Sequence, residues 1–388
     1  MTGRAPLAAD TVALYLHIPF CRQKCPYCDF FSVSRNPQAL AAYPDQLLRQ
    51  LELARRGDFP HDPFASVFFG GGTPSLLPPE AVAAILAHAR ELYGIAPGAE
   101  ISLEANPGTL SPDKLEGYRN AGINRLSLGV QSLRPEQLRA LGRLHTPEEA
   151  LEALHWARAA GFSNIGADLM FGLPGERTEE LLEDLEAILA QGPEHLSLYG
   201  LTVEEGTPFQ HRHRRGELLL PEEETTAEMF LAAHQVLETA GYSHYEISNY
   251  ALPGRECRHN LHYWRRRGYL GIGAGAHAFH PAGWGERRAV PNDLADYRRC
   301  IEAGEDPSRP LETFSREEAM AETLYLGLRT REGVAEEAFR ARFGVGVAQA
   351  FPAAVAKIGE RLTLRQGYWR LDLQGWLIYD YLVGEFFA

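Results

Sequence analysis

No stretch of the chain approaches about eighteen consecutive apolar residues, so no transmembrane segment is expected. Positive charge is in short supply: 38 Lys and Arg face 51 Asp and Glu, a formal net charge of −13. A surface of that sign is a poor match for a phosphate backbone or an anionic bilayer, so no nucleic-acid partner is expected. Cysteine is sparse, five in 388 residues, too few in too long a chain for a disulfide framework. No internal repeat or low-complexity segment stands out. The first residues, MTGRAPLAADTVALYLHIPF, lack the basic start, apolar stretch and small-residue cleavage site of a secretory leader. Reduced thiols and no leader give a cytoplasmic expectation.

What is present is a rhythm. A short apolar, β-branched run from Thr11 to His17 predicts a buried strand. Further strands are predicted at 65–69, 100–105, 123–130, 164–171 and 195–203. Helical periodicity fills the gaps at 37–56, 79–93, 111–121, 147–161 and 177–190. Strand followed by helix, repeated, predicts an α/β fold with a parallel sheet closed or nearly closed into a barrel. Polar or Gly-rich residues recur at the C-terminal strand ends, where barrel active sites lie. Beyond Leu220 the rhythm weakens to a helix at 222–240 and a short strand near 243–247. Helix-rich sequence follows, with runs near 315–329 and 334–343, then a helix, a short hairpin (LTLRQGYWRL) and a closing helix. The expected units are 1–305 and 306–388, divided at EDPSRP.

The densest chemical signal is Tyr15 to Ser32, YLHIPFCRQKCPYCDFFS, which spaces Cys21, Cys25 and Cys28 as Cys-x3-Cys-x2-Cys. Three thiolates on so short a loop suit a cubane [4Fe–4S] cluster, one iron each, leaving the fourth iron open to a small molecule. A structural zinc site would need a fourth ligand nearby, for which His17 is the only good candidate. One strand later comes Gly70-Gly71-Gly72-Thr73-Pro74, where missing Cβ atoms allow close backbone approach, as a plain strand-to-helix turn would also require.

These residues together resemble the radical S-adenosylmethionine (SAM) superfamily. HIPFCxxxCPYCDFFS is similar to its branch of oxygen-independent coproporphyrinogen oxidases and the related heme chaperones, the HemW subgroup. The resemblance runs from Tyr15 through the C-terminal segment. It implies a partial (β/α)6 barrel carrying the cluster loop, followed by a smaller, mostly helical C-terminal domain. It also implies a SAM site. Gly71, Gly72 and Thr73 match the motif that holds the amino end of SAM. Glu104 in SLEANPGT, Gln131 in GVQS, Arg143 in LGR and Asp168 in ADLMFGLP match positions for its ribose, carboxylate and adenosyl contacts. Tyr15 and Tyr27 match positions lining the same pocket. The residue types fit: a guanidinium pairs with a carboxylate, and carboxylates accept from hydroxyls.

Farther along, Cys257-Arg258-His259-Asn260-Leu261-His262-Tyr263-Trp264 contains the HNxxYW pattern of the heme chaperone subgroup. Imidazole is a good axial ligand for heme iron, and aromatic rings can cover a porphyrin face. His259, then Cys257, are the heme ligands this resemblance implies; a His-Asn turn with packed Tyr and Trp is the plainer alternative. Gly271, Gly273 and Gly275 fit either a close backbone approach or a packed strand.

The resemblance leaves two functions. One is a heme chaperone that binds heme and passes it to apoproteins, with the cluster, SAM and an electron donor in support. The other is a radical SAM coproporphyrinogen III dehydrogenase of porphyrin biosynthesis. The oxidase pattern carries a fourth cysteine two residues after the third and a longer segment ahead of the cluster. Here Phe30 takes that position and only twenty residues precede Cys21, so the chaperone is the expectation.

Overall fold

The computed structural model describes residues 11–34 and 36–387; the first half of the stretch read for a secretory leader lies outside them. Its centre is a 12-stranded sheet. Six strands build the parallel core: β1 (Val12–Ile18), β2 (Phe64–Gly71), β3 (Ile95–Ala105), β4 (Arg125–Gln131), β5 (Ile165–Phe171) and β6 (His195–Gly200). They neighbour one another in chain order. The crossovers are helices α1 (Pro37–Ala54), α2 (Pro79–Leu92), α3 (Pro112–Ala121), α4 (Pro147–Ala159) and α5 (Thr178–Leu189). These are the strands and helices the periodicity predicts, shifted by a few residues at their ends. Proline at the first turn of α1 to α4 fits the helix start, where an N–H would have no partner.

The sheet continues on both sides. Past β6 run two antiparallel strands, β7 (Ser243–Glu246) and β8 (Asn249–Ala251), in the order β6-β8-β7. On the other side β9 (Tyr269–Ile272) pairs in parallel with β1. The glycine-rich segment therefore begins as a packed strand, and a Cβ on Gly271 would lie 1.8 Å from the His277 carbonyl oxygen. Antiparallel strands β10 (His277–His280), β11 (Glu286–Ala289) and β12 (Arg309–Thr313) extend this edge. The sheet thus reaches Thr313, beyond the division expected at 305.

Side chains from β1 to β6 (Tyr15, Phe68, Glu104, Ser127, Asp168, Ser197) line a single cavity, so the sheet is curled around a lumen without hydrogen-bonded closure. After β6, α6 (Glu223–Thr239) packs on α5, and α7 (Arg258–Trp264) lies against β2. The C-terminal unit starts with α8 (Arg316–Gly327), whose capping box is formed by Ser315 and Glu318. The hairpin Leu362–Arg365/Tyr368–Leu371 acquires a third short strand, Val334–Ala335. The unit is packed on the barrel: the Ile247 amide donates to the Arg329 carbonyl and Glu246 bridges to Thr330. No helix among the described residues is long and apolar enough to cross a membrane.

Candidate cluster and cofactor site

The cysteine loop leaves the C-terminal end of β1. Phe20–Cys21 pairs in parallel with Val33–Ser34, pinching the base of the loop. Its body is tied to the barrel rim by Arg22 donating to Gly108 O (2.6 Å) and Gln23 to Gly142 O (3.3 Å). Lys24 donates to Phe30 O (3.0 Å), and the Cys28 amide to Cys25 O (3.2 Å). All three thiols are partly exposed and unbonded to each other. Burial, before any other cause, pushes the Cys28 thiol above its ordinary range.

This donor set fits a cluster better than a single ion. Among the described residues no three His, Cys, Asp or Glu side chains gather around a mononuclear metal position. A cubane asks instead for one sulfur per iron. His17, the nearest fourth ligand, is spent: Nδ1 contacts the Tyr15 hydroxyl (2.9 Å) and Nε2 the Phe31 carbonyl (3.1 Å).

Two of the sulfurs are joined by a chain of polar side chains. Thr73 Oγ1 donates to Cys21 Sγ (3.6 Å), and Asn106 Nδ2 donates to Thr73 Oγ1 (3.1 Å). Arg143 Nη2 donates to Asn106 Oδ1 (2.5 Å) and to Gly129 O (2.7 Å), while Nη1 reaches Cys25 Sγ at 3.9 Å. Thr73 and Arg143 were anticipated; Asn106 was not. Its signal was legible, because Asn106 lies two residues after Glu104 and strand periodicity places both on one face.

Gly71 and Gly72 also serve the packing of the loop. Their amides are occupied, Gly71 N by Glu104 Oε2 (3.1 Å) and Gly72 N by Ile18 O (3.0 Å). A Cβ on Gly72 would sit 2.7–2.9 Å from the backbone of Phe20 and Ile18, and one on Gly71 (φ 109°) would enter the His17 ring. The missing side chains let the cysteine loop cross the strand ends. An ammonium group would in any case need carbonyl oxygens, since amides cannot accept from it.

Deeper, Tyr15, Glu104 and Asp168 line the lumen, a cavity of about 180 Å³. Asp168 accepts from the Ser127 hydroxyl (3.0 and 3.1 Å). Burial first, then the nearby Asp168, lifts Glu104 to about 8, against the Gly71 amide and Arg125. Burial likewise raises Asp168, opposed by hydrogen bonds from Ser197 and Ser127. Tyr199, unforeseen, is 41% exposed although protein surrounds it, because its surface faces this inner space. Gln131, at the end of β4, adopts φ 71°, rare for a side-chain-bearing residue, and its buried Oε1 has no partner. A strained, orphaned acceptor at the strand ends fits a site built for a polar ligand. Tyr27 packs against Phe209 (6.2 Å) at the edge of a small apolar cluster with Leu141, Met170 and Leu173. The residues matched to SAM therefore form two layers, Thr73 and Arg143 at the cysteines and Tyr15, Glu104 and Asp168 in the lumen, with Gln131 at the end of β4.

The HNxxYW segment is at the opposite end. Helix α7 plugs the N-terminal strand ends, where the Glu100 carboxylate accepts from the Arg258 and His259 amides (both 3.1 Å) and from Cys257 Sγ (3.6 Å). His259 is fully buried: Nδ1 contacts Ser66 Oγ (2.9 Å), Nε2 the Tyr263 hydroxyl (2.7 Å), and its ring stacks on Phe68 at 5.0 Å. Cys257 is equally enclosed. In this conformation both imidazole nitrogens of His259, the first of the two heme ligands the resemblance implies, have protein partners, while His259, Asn260 and Tyr263 also line the lumen. Arg125, the largest fully buried side chain, lies beneath. Burial opposes its charge, but Cys257, Glu100, Tyr245 and Asp168 around it hold the guanidinium protonated.

Comparison with known proteins gives a consistent picture. Residues 15–188 match the radical SAM superfamily and residues 314–378 the HemN C-terminal domain. The heme chaperone HemW of Escherichia coli (strain K12) is 35% identical, over 97% of this chain and 98% of that protein. The HemW of Haemophilus influenzae is 42% identical over 69% and 70%. The structure of E. coli HemN, a coproporphyrinogen III oxidase and radical SAM enzyme, superposes with a TM-score of 0.82 over 97% of this chain and 90% of that one. At 21% identity, that likeness is one of fold.

Proposed function

The chain belongs to the HemW family of the radical SAM superfamily, and from that premise we propose that it is a heme chaperone, binding heme and passing it to apoproteins. The observation that carries this is the 35% identity to a heme chaperone across nearly the full length of both chains. In this reading Cys21, Cys25 and Cys28 hold a [4Fe–4S] cluster, which when bound supplies one-electron chemistry fed by an electron donor. Thr73 and Arg143 stand next to two of its sulfurs and orient them through Asn106. Arg143 is the cation for the carboxylate of SAM. Glu104 and Asp168 offer acceptors to ribose hydroxyls, with Tyr15 and Gln131 beside them; Tyr27 shields the loop. Free thiols at half-exposed positions suit the reducing cytoplasm.

Phe30, 62% exposed where the oxidase pattern has its fourth cysteine, supports the chaperone over the dehydrogenase. The test is transfer: hemin-loaded protein mixed with an apo-hemoprotein should yield the holo spectrum of the acceptor. Protoporphyrinogen formed from coproporphyrinogen with SAM and reductant, without hemin transfer, would replace this reading by the dehydrogenase.

A further inference from the structure

The lumen ends in a buried cation. Arg125 opens β4 and is 1% exposed, yet its Nε is enclosed without a partner among the described residues. No hydrogen bond or ion pair among those residues takes its other N–H groups either. The carboxylates around it are committed elsewhere: Glu100 accepts from the α7 amides (both 3.1 Å) and Asp168 from Ser127 (3.0 and 3.1 Å). A guanidinium is a planar fork of five donors, and one buried without an acceptor calls for a ligand.

A second orphan faces it. His195 on β6 is also 1% exposed, with Nε2 2.8 Å from the Tyr245 hydroxyl. That hydroxyl already accepts from the Cys257 amide (3.2 Å), and its one hydrogen is free for Nε2. Burial first, then Arg125, keeps the ring from taking a second proton. A neutral imidazole that accepts at Nε2 carries its hydrogen on Nδ1. His195 Nδ1 is enclosed and has no partner among the described residues.

Gly166 marks where the two donors meet. It lies on β5, paired with Ser127 on one side and His195 on the other. Two residues before the lumen-lining Asp168, it faces the same way. A Cβ there would stand 3.4 Å from His195 Nδ1 and 3.5 Å from Arg125 Nη2. The missing side chain leaves a hollow with an imidazole N–H and a guanidinium on its rim.

The donors ask for an anion. Two parallel N–H groups of a guanidinium match the two oxygens of a carboxylate, and an imidazole N–H can share one of them. Glu104 and Asp168 line the same lumen, so one negative charge is tolerated better than the two of a phosphate. Tyr15, Phe68 and Tyr263 wall it with rings. Its volume of about 180 Å³ is below the roughly 300–1,000 Å³ of sites that enclose a whole ligand, which suits an arm and not a macrocycle.

We propose that Arg125 and His195 form a carboxylate site at the floor of the lumen, taking the acid end of a short arm that passes between the rings. The site does not depend on the chaperone reading. The source of the arm does: under that reading it is a propionate of the bound heme, and otherwise a free short-chain acid.

The full-length protein, anaerobically reconstituted and free of SAM, is titrated by calorimetry with sodium propionate and with inorganic phosphate at constant ionic strength. Propionate should saturate with a Kd in the millimolar range, and phosphate should bind at least about tenfold more weakly. Arg125→Gln should weaken propionate at least about tenfold, and Arg125→Lys, with the charge but not the fork, should fall between. His195→Phe should weaken it about threefold and covers the case in which circular dichroism shows the arginine variants unfolded. Equal affinity in the folded variants, or no propionate binding by the unaltered protein, overturns the site and leaves water as the guanidinium's partner.

Hemin against its dimethyl ester separates the sources. If the arm belongs to the cargo, esterification should cost the unaltered protein at least about tenfold in affinity and Arg125→Gln nothing further. Equal binding of ester and acid, with propionate binding intact, assigns the site to a free acid. Propionate binding without any hemin binding overturns the chaperone reading and leaves the carboxylate site standing.

Discussion

The two ends of the lumen make an instructive pair. At the C-terminal strand ends, three thiols sit half-exposed on a loop held by backbone carbonyls of the barrel rim. At the N-terminal ends, a cysteine and a histidine of comparable ligand quality are consumed by hydrogen bonds from every side. Both segments are dense in soft donors and aromatics, and the sequence favours the cysteine loop by spacing without showing what surrounds either. The difference is what the rest of the chain supplies: the loop rests on carbonyls and its sulfurs meet only the donors Thr73 and Arg143, which leave them half-exposed, whereas α7 rests on Glu100, Ser66 and Tyr263, which enclose its Cys and His. Motif density reports that a segment is specified; only the partners tell whether it is specified to bind or to pack.

Changes at the open end should remove chemistry and leave the fold; changes at the closed end should do the reverse. The largest effect is expected from Cys25→Ala. Anaerobic reconstitution of this variant should lose the broad visible absorbance and the bound iron and sulfide of a [4Fe–4S] protein while its circular dichroism stays unchanged. A variant that still loads a full cluster would show that the loop is not the binding end. His259→Ala comes next, with a loss of about 2–4 kcal/mol in denaturant unfolding, because Ser66 and Tyr263 are left buried without partners. The folded fraction should load its cluster as before. A stability cost below about 0.5 kcal/mol would show the plug to be loosely held, and would reopen His259 to ligands.

Most of the barrel was legible, because hydrophobic period and Gly/Pro punctuation are local properties. The six core strands and the crossover helices on either side of them follow that way. What was hidden was hidden for a physical reason. Short strands such as Glu286–Ala289 are amphipathic over too few residues to show a period, and β9 joins β1 from more than 250 positions away. The grouping of Thr73 and Arg143 beside the cysteines, and of Glu104 and Asp168 in the lumen, followed the family pattern. The closure of His259 was not legible, since Ser66 and Glu100 lie far off in sequence and nothing local marks them as its partners. The glycines were ambiguous for a related reason: a missing Cβ tells of close approach without saying whether ligand or chain approaches.

Arg143 sharpens the contrast within the open end. Lysine keeps its charge but loses the planar fork that reaches Asn106, Gly129 and Cys25 together. Arg143→Lys should weaken SAM binding by about 1.5–3 kcal/mol, roughly tenfold or more in Kd by calorimetry, with cluster loading retained. Equal affinity would remove the guanidinium from the SAM site.

Glu104, in the lumen between the two ends, should act through pH. Its carboxyl is lifted from 4.5 to about 8, so the folded state binds the proton more tightly than the unfolded one. Stability from this group is full below the unfolded value and is lost as pH rises through about 8. Glu104→Gln should therefore gain on the parent as pH increases, flattening rather than abolishing the slope, because Asp168 is raised in the same direction. Urea midpoints at about pH 5 and pH 8.5, without SAM, decide it. A slope unchanged by the substitution would mean that water fills the lumen and solvates the carboxylate.

The smallest effect belongs to Phe30, and its smallness is informative. The side chain is 62% exposed, and the loop contact at this residue uses its backbone carbonyl, which accepts from Lys24. Phe30→Ala should leave stability within about 0.5 kcal/mol and cluster content unchanged, as surface truncations do. A large aromatic left in solvent beside three thiols is an odd thing to keep for packing. A loss of hemin transfer by this variant, with binding and cluster intact, would place the acceptor's docking surface at the open end of the barrel. Unchanged transfer would leave that end to electron exchange alone.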